Sequence, residues 1–439
     1  MLILFLFTLW ISDPLAVEMI EEGLIRGEEV VDFPSTLPYF NIRLSSGAAK
    51  LLTDNHLLST RFCFKGDTLN RFWINPLFNR TFSNNILVRL SPFLLAGKDP
   101  AYRLSEWKGG VKGDFEEAGL VYNLGPLFLS LGRMRMRWGV TDCNLILAGR
   151  NYPFDLLGFR YEKRPILFAY FHGQLERLTA PSPVLGDSLL SRYLVGHRLE
   201  TRICRKIHFG FTETCIYATP GGIDFSYLNP LLLYYEVIWN RPSWSGSDDN
   251  IVWSLDLRFD LPPTIYLELM IDDYQYEPPP DKETNEIGFT FGTKVPISRY
   301  TINIEYTRLN NFCYNVQKSY LRYVYRNYPL GYYHGPDVED LKLSLKYCFL
   351  PIVFDLKGGR HRKGEGRYDD PWPALFPSDC FLTGVVEDDY NFELGLKIYR
   401  RYFYLGFTGG LHWLSNYRHQ NGKDKVLATF STNLLFNLN

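Results

Sequence analysis

The chain of 439 residues is long enough for two or three average domains or for one large barrel. Its net charge of -1 does not favour nucleic acid as a partner. Apolar residues make up 46% and aromatic residues 16%, but the mean hydropathy of -0.16 is too low for a bundle of transmembrane helices.

Neither the spacing of the seven cysteines nor a search for catalytic motifs indicates an enzyme. No C-x-x-C pair occurs, so we predict neither a metal site nor a redox site. The sequence also lacks a G-x-S-x-G elbow, an H-E-x-x-H motif and a P-loop. We therefore predict a protein that is not an enzyme, has no catalytic residue and uses no cofactor.

The start of the chain predicts export. An apolar run over residues 2–11 is followed by Pro14 and Ala16 and is too short for a membrane-spanning helix. Residues 1–16 are therefore predicted to be a secretory signal peptide. Residues 17–56 do not alternate and show helical spacing, which predicts a small N-terminal periplasmic helical segment. Residues 57–439 are expected to form an outer-membrane β-barrel.

The stretch Asn250–Gln275 shows the pattern on which the barrel prediction depends. Ile251, Trp253, Leu255 and Leu257 share one parity, while the other parity is mostly polar or charged. Because side chains of a strand alternate between two faces, one face is apolar and the other carries charge. The pattern recurs at least a dozen times with heavy aromatic content. This favours a closed barrel with its apolar face turned to lipid and its polar face turned to the lumen.

Short turns and long connections alternate along the chain, as in outer-membrane barrels with short periplasmic turns and long extracellular loops. The fold class predicted is all-β, a transmembrane antiparallel β-barrel of about 16–18 strands, with the small helical segment in the periplasm. The first strand is expected over residues 86–97, and any extra pair within 218–250 and 310–340. The amphipathic last strand, 426–438, implies outer-membrane lipid and the barrel-assembly machinery as partners.

The segment LGRMRMRWGVTDCNLILAGRNYPFD places Arg133, Arg135 and Arg137 at one parity. Three arginines cannot point into lipid, so they are predicted to line the lumen, with a bulge near Gly132 restoring the apolar parity. Two interpretations remain open. The arginines bind an anionic sugar or fix an inner plug, or they pair with lumen acids such as Asp256, Glu268 and Glu305.

This segment resembles the GR-x-x-x-RWG…NL-x-L…PFD stretch of the Wzi capsule-assembly family. Further stretches are similar to motifs of that family in the same order: HRLETRI, FSYLNPLLLYYE, DNIVWSLDLRF, ELMIDDYQ, IEYTRLNNFCY and PLGYYHGPDVEDL. The aromatic–glycine pair that usually follows RWG is replaced by Val140 and Thr141. The resemblance implies a lectin-like, non-catalytic outer-membrane barrel that binds surface polysaccharide, with periplasmic helices closing its base.

Candidate ligand-binding residues come from these motifs and from the strand ends. Asp272 and Asp273, at the predicted rim, either contact calcium or sugar or are simply solvated carboxylates. The complete set is Arg133, Arg135, Arg137, Trp138, Asn144, Tyr227, Asn229, Asp272, Asp273, Glu305 and Asp337. The first hypothesis is a polysaccharide-binding barrel at the cell surface. The alternatives are a porin-like passive channel for small solutes and a barrel enzyme acting on lipid.

Overall fold

The computed structural model describes residues 8–10, 36–37, 41–43 and most of 58–438. Within the last range, residues 67–70, 83–84, 97–110, 150–151, 183–185, 205, 241–248, 276–283, 350, 374–380 and 401–402 are not described. Most side chains between residues 85 and 432 are described.

Eighteen strands of the described chain form the barrel, and we number them in chain order. They are β1 Leu58–Gly66, β2 Arg71–Phe82, β3 Ile86–Ala96, β4 Val111–Leu124, β5 Leu127–Met134, β6 Phe154–Lys163, β7 Ile166–Ser182, β8 Gly186–Ile203 and β9 Ile207–Thr219. The second half comprises β10 Asn250–Phe259, β11 Thr264–Asp273, β12 Glu286–Ile297, β13 Tyr300–Leu309, β14 Val338–Phe349, β15 Ile352–Lys363, β16 Glu387–Arg400, β17 Phe403–Ser415 and β18 Lys425–Leu438.

Each strand pairs with its neighbours in the chain in antiparallel fashion, and β18 pairs with β1 to close the cylinder. Closure leaves no sheet edge with unpaired backbone groups, which a bilayer would not tolerate. The predicted all-β antiparallel barrel is therefore confirmed.

The extra strand pair does not lie where the sequence analysis placed it. β1 and β2 precede residue 86, whereas 218–250 and 310–340 contain only short elements. These are the helix α1, Tyr234–Asn240, the 3-10 helices Phe225–Leu228 and Ser319–Leu321, and the hairpin of Val324–Tyr325 with Tyr328–Pro329. A further 3-10 helix spans Tyr417–His419.

The predicted signal peptide and helical segment fall largely outside the described residues. Their described parts are short strands: Thr8–Trp10 pairs with Asn41–Arg43, and Thr36–Leu37 pairs with Arg137–Trp138. Arg137–Trp138 also pairs with Leu147–Ala148. In the part of the chain that is described, no helix has the length and apolar character needed to cross a membrane.

The two faces of the wall differ as the alternation predicts. Along β10, Val252, Ser254 and Asp256 are buried, while Leu255 is 38% exposed on the other face. The neighbouring strands keep the same row, since Leu255 lies opposite Phe211 and Leu269. Apolar side chains therefore form the outer surface, and ionised side chains face the lumen.

The two ends of the barrel also differ. Turns such as Gly125–Pro126 and Ser298–Arg299 join strands at one end, which we call the turn end. Connections such as 135–153 and 310–337 join them at the other, which we call the loop end. This alternation confirms the predicted pattern of short and long connections. A core cluster of buried apolar residues then forms inside the barrel from the wall and these loops, including Trp138, Phe171 and Tyr323.

Candidate functional site

Two connections fold into the lumen and fill its half nearest the loop end. We call residues 135–153 the first inner loop and residues 310–337 the second inner loop. The Tyr314 hydroxyl donates to the Leu145 carbonyl at 2.6 Å and accepts from the Tyr332 backbone N–H at 2.9 Å. The Ala148 N–H donates to the Leu330 carbonyl at 3.2 Å. Burial raises the pKa of Tyr314, so its hydroxyl stays protonated and able to donate.

The second inner loop is held by lumen-facing side chains of β8, β9 and β10. Arg192 donates to the carbonyls of Arg322 and Val324 at 2.7 and 3.1 Å. The amide of Asn250 donates to the Leu321 carbonyl at 3.0 Å, and similar contacts continue along the wall. A loop backbone that leaves water needs such partners, because a buried carbonyl without a donor costs about 1–3 kcal/mol.

The first inner loop lies on two buried carboxylates of the wall. Glu268 accepts hydrogen bonds from the Leu145 N–H at 3.0 Å and from the Thr141 hydroxyl at 2.9 Å. Glu305 accepts from the Asp142 N–H at 3.2 Å. Asn144 closes the tip of the loop by accepting from the N–H and hydroxyl of Thr141. The two wall carboxylates therefore accept hydrogen bonds from three donors of the first inner loop.

The prediction that three arginines line the lumen is wrong for Arg133. The pairing of β5 with β4 and β6 runs without a register shift through Gly132, so no bulge changes the parity. Arg133 consequently shares the outer face with Leu131. It lies at the loop end of β5, where its guanidinium contacts Asp114 at 2.6 Å and Asp155 at 2.8 Å.

Arg135 and Arg137 follow β5 and belong to the first inner loop. Arg135 pairs with Glu116 at 3.0 Å, and Arg137 donates to the Thr141 carbonyl at 3.0 Å. The expectation that the arginines have acidic partners is correct for Arg133 and Arg135, but the acids differ from those predicted. The predicted partner Asp256 is occupied by the buried Arg198 at 2.5 Å.

The structure separates the remaining candidate residues into four places. Trp138, Asn144 and Glu305 lie in the first inner loop and the wall beneath it. Asp272 and Asp273 do end β11 at the loop end, where Asp272 accepts from the Tyr314 N–H and Asp273 accepts from the Gln275 amide.

Asp337 is buried at the end of the second inner loop and accepts hydrogen bonds from the Gly366 N–H and the Thr383 hydroxyl. Tyr227 is buried on the outer side of the wall, and Asn229 is exposed beside it. The candidate residues therefore do not form one site.

A polar cluster that the sequence analysis did not identify lies between the second inner loop and the wall. Asp340 of β14 faces His361 of β15, whose Nδ1 lies 2.7 Å from a carboxylate oxygen. The rings of His334 and His361 are 4.0 Å apart, and Lys342 donates to the Tyr332 hydroxyl at 2.8 Å. Neighbouring strands bring Asp340 and His361 together, and no spacing in the sequence signals their contact.

His334, Asp340 and His361 have ligand atoms within 4.8 Å of one another, so they are the residues here that could hold a transition metal. The hydrogen bonds of this cluster indicate a structural role instead. Asp340 already accepts from His361 and from Tyr332, and Lys342 lies 3.9 Å from it. Partial burial beside the His361 ring, together with the positive charges of Lys342 and Lys363, lowers the pKa of His334 despite the opposing charge of Asp340. Hydrogen bonds thus link Asp340, His361, Tyr332 and Lys342, and the His334 ring packs against that of His361, so the cluster supports the second inner loop.

An exposed surface at the loop end combines aromatic rings with charged groups. Tyr333 is 36% exposed, and its ring lies 5.2 Å from the Lys342 ammonium. The segment 364–373 packs against the same loop as Tyr333, since the Tyr368 hydroxyl donates to the Asn327 carbonyl. In that segment Arg367 forms an exposed pair with Asp369 at 2.9 Å. We call this the outer surface, and such flat rings beside polar groups suit ligands with both apolar faces and hydroxyls.

The fold and the filled lumen together define an outer-membrane β-barrel whose own loops occupy its extracellular half. One similar solved structure is Wzi, an outer-membrane protein involved in group 1 capsule assembly in Escherichia coli and described as a carbohydrate-binding β-barrel. The match has a TM-score of 0.67 and 12% identity, and it covers 96% of this chain and 98% of that chain.

Channel proteins match less well. OccD3 (OpdP) of Pseudomonas aeruginosa has a TM-score of 0.51 and 10% identity over 87% of this chain and 91% of that one. Neither a protein-family model nor a curated protein sequence matches the chain. The resemblance to Wzi stated from the motifs is thus confirmed as a likeness of fold. The neighbours also locate this protein in the outer membrane. Because long connections of outer-membrane barrels lie outside the cell, we assign the loop end to the extracellular side.

Proposed function

We propose that this protein binds surface polysaccharide at its extracellular end and has no catalytic activity. The observation that supports the proposal is the mutual hydrogen bonding of the two inner loops, which fill the outer half of the lumen. A ligand from outside then meets the outer surface rather than an open pore. The likeness in fold to Wzi, a carbohydrate-binding barrel, supports the same function.

The likeness to OccD3 makes a passive channel the second candidate. A channel requires an aqueous path along the lumen, so the two functions differ in a measurable property. Purified protein in a planar bilayer should carry no large steady single-channel current if the loops stay in place. A large steady current in the wild type would favour the channel and contradict the occluded barrel.

Binding can be tested with an array of acidic and neutral bacterial polysaccharides. Tyr333→Ala and Arg367→Ala should each weaken binding about tenfold, equivalent to about 1.4 kcal/mol. Gln420→Ala, at an exposed position of another extracellular connection, is the matched control and should bind as the wild type does. No binding to any glycan by the wild type would refute the proposed function. Full binding by both outer-surface variants, with loss on replacing Arg135, would move the site to the first inner loop.

A further inference from the structure

The connection between β9 and β10 folds back over the outside of the barrel. We call its residues 223–240 the outer segment. Tyr227 stacks on Tyr217 with ring centroids 4.4 Å apart, and Tyr234 stacks on His197 at 4.7 Å. Both wall rings have the parity of the exposed apolar residues of their own strands, yet both are buried. The outer segment therefore covers the outer face of β8 and β9 and not the lumen.

Beneath the outer segment, the wall carries a charged group on its lipid-side face. Glu213 lies 2.9 Å from the His197 ring and accepts from the Trp253 indole at 2.9 Å. It also accepts from the backbone N–H groups of Tyr234 and Tyr235, at 2.8 and 3.2 Å. Strand pairing places His197, Glu213 and Trp253 in one row across β8, β9 and β10. The outer segment thus supplies two of the donors that satisfy this carboxylate.

The row of His197, Glu213 and Trp253 lies at the level of the membrane. Glu213 is the seventh residue of β9 counted from the turn end. With a rise of about 3.3 Å per residue and a tilt of about 40°, it lies roughly 15 Å above the periplasmic turns, within an apolar band about 25 Å tall. The row next to it toward the turn end is apolar, since Leu199 and Leu255 are exposed there. A carboxylate at this height would face acyl chains if the wall were bare.

The surface that the outer segment turns away from the barrel is apolar. Phe225 is 83% exposed, Leu231 is 80% exposed and Trp239 is 63% exposed. Facing water, so many large apolar groups would be unfavourable. They continue the apolar wall beside them, because the Tyr235 ring lies 5.5 Å from that of Trp253.

We propose that the outer segment is inserted in the outer leaflet of the outer membrane, where its exposed apolar side chains contact lipid acyl chains. Its inner face seals the Glu213–His197 pair from those chains, and its outer face replaces the apolar wall that it covers. The partner is the hydrocarbon of the membrane and not the aqueous exterior. This inference rests on the membrane location and not on the proposed binding of polysaccharide.

The test places the photoreactive residue p-benzoylphenylalanine singly at Phe225, Leu231 and Trp239 of the full chain, in phospholipid vesicles. Leu267, exposed on the bare wall, is the lipid reference, and Gln420 is the aqueous reference. Irradiation should give lipid adducts at the three positions in yields similar to those at Leu267 and at least about fivefold above those at Gln420. Heat-modifiable gel migration shows that each variant is folded, and all three substitutions are at exposed positions.

Adduct yields equal to those at Gln420 would overturn the inference, because the outer segment would then lie in water. Adducts between two copies of the chain, in place of lipid adducts, would also overturn it, because the apolar surface would then be a contact between barrels. Because no glycan takes part in this assay, failure of the proposed function would leave its result unchanged.

Discussion

The closure of the lumen by the inner loops can be tested by removing one hydroxyl. Tyr314→Phe keeps the ring but leaves two buried groups without their partner, the Leu145 carbonyl and the Tyr332 N–H. Each such group costs about 1–3 kcal/mol, so the closed arrangement should lose at least about 2 kcal/mol. Because 1.4 kcal/mol is a factor of ten, the fraction of molecules with the loops apart should rise roughly 30-fold.

Single-channel recording in planar bilayers measures this fraction as the time spent in open bursts. Tyr274→Phe, at a rim position that is 60% exposed, is the matched control and should behave as the wild type does. A second variant should separate the two inner loops by a steric clash and not by the loss of a hydrogen bond. A Cβ atom at Gly331 would lie 1.9 Å from the Leu145 carbonyl oxygen, so Gly331→Ala should also open the lumen. Gly409→Ala, where the structure places nothing within 4 Å, controls for the added methyl group.

Closed records for both Tyr314→Phe and Gly331→Ala would refute the reasoning, because the contact between the loops would then not keep the lumen closed. Bursts from Gly409→Ala would show that any added methyl group disturbs the wall. The controls thereby distinguish the effects of the Tyr314 hydroxyl and of the close packing at Gly331 from general damage to the barrel.

Two further predictions concern buried charge. Arg198→Met should lower the free energy of unfolding in vesicles by about 3–5 kcal/mol, because Glu200 and Asp256 then lose their buried partner; unchanged urea unfolding would contradict this. Acid should weaken the hold on the second inner loop. Since the pKa of His334 lies below its usual value, the neutral ring stabilises the closed state fully above about pH 6.5, and this stabilisation is lost as the pH falls. Open bursts should therefore increase between pH 7.5 and pH 5 in the wild type and not in His334→Gln, and equal increases in both would exclude His334.

Alternation along the strands was enough to predict the barrel and which residues face lipid. Leu255 and Asp256 lie on opposite faces because each strand step reverses the side chain, which is a local property. The pattern was less readable in β1 and β2. Pro76 interrupts the second, and the first mixes polar residues with Phe62 and Phe64. Both strands were therefore missed.

The error over the arginines has a definite physical cause. Parity shows which face a side chain takes, but it carries no information about height along the barrel. Arg133 takes the outer face, as its parity with Leu131 requires, at the loop end of β5, where it pairs with Asp114 and Asp155. The rule that arginine cannot face lipid applies to the apolar band and not to the rim. The height of a residue along the barrel is instead given by the register of its strand with the neighbouring strands.

The long connections could not be placed from sequence, because their positions depend on polar groups of distant strands. Glu268 faces the lumen and is satisfied by the first inner loop, whereas Glu213 faces outward and is satisfied by the outer segment. In both cases a buried carboxylate of the wall accepts from backbone N–H groups of a connection, and neither group would be stable alone. The connections are therefore structural parts of the wall on both of its faces. The outer surface is therefore the place for the proposed binding of polysaccharide, because the inner loops and the outer segment already form hydrogen bonds with the buried carboxylates.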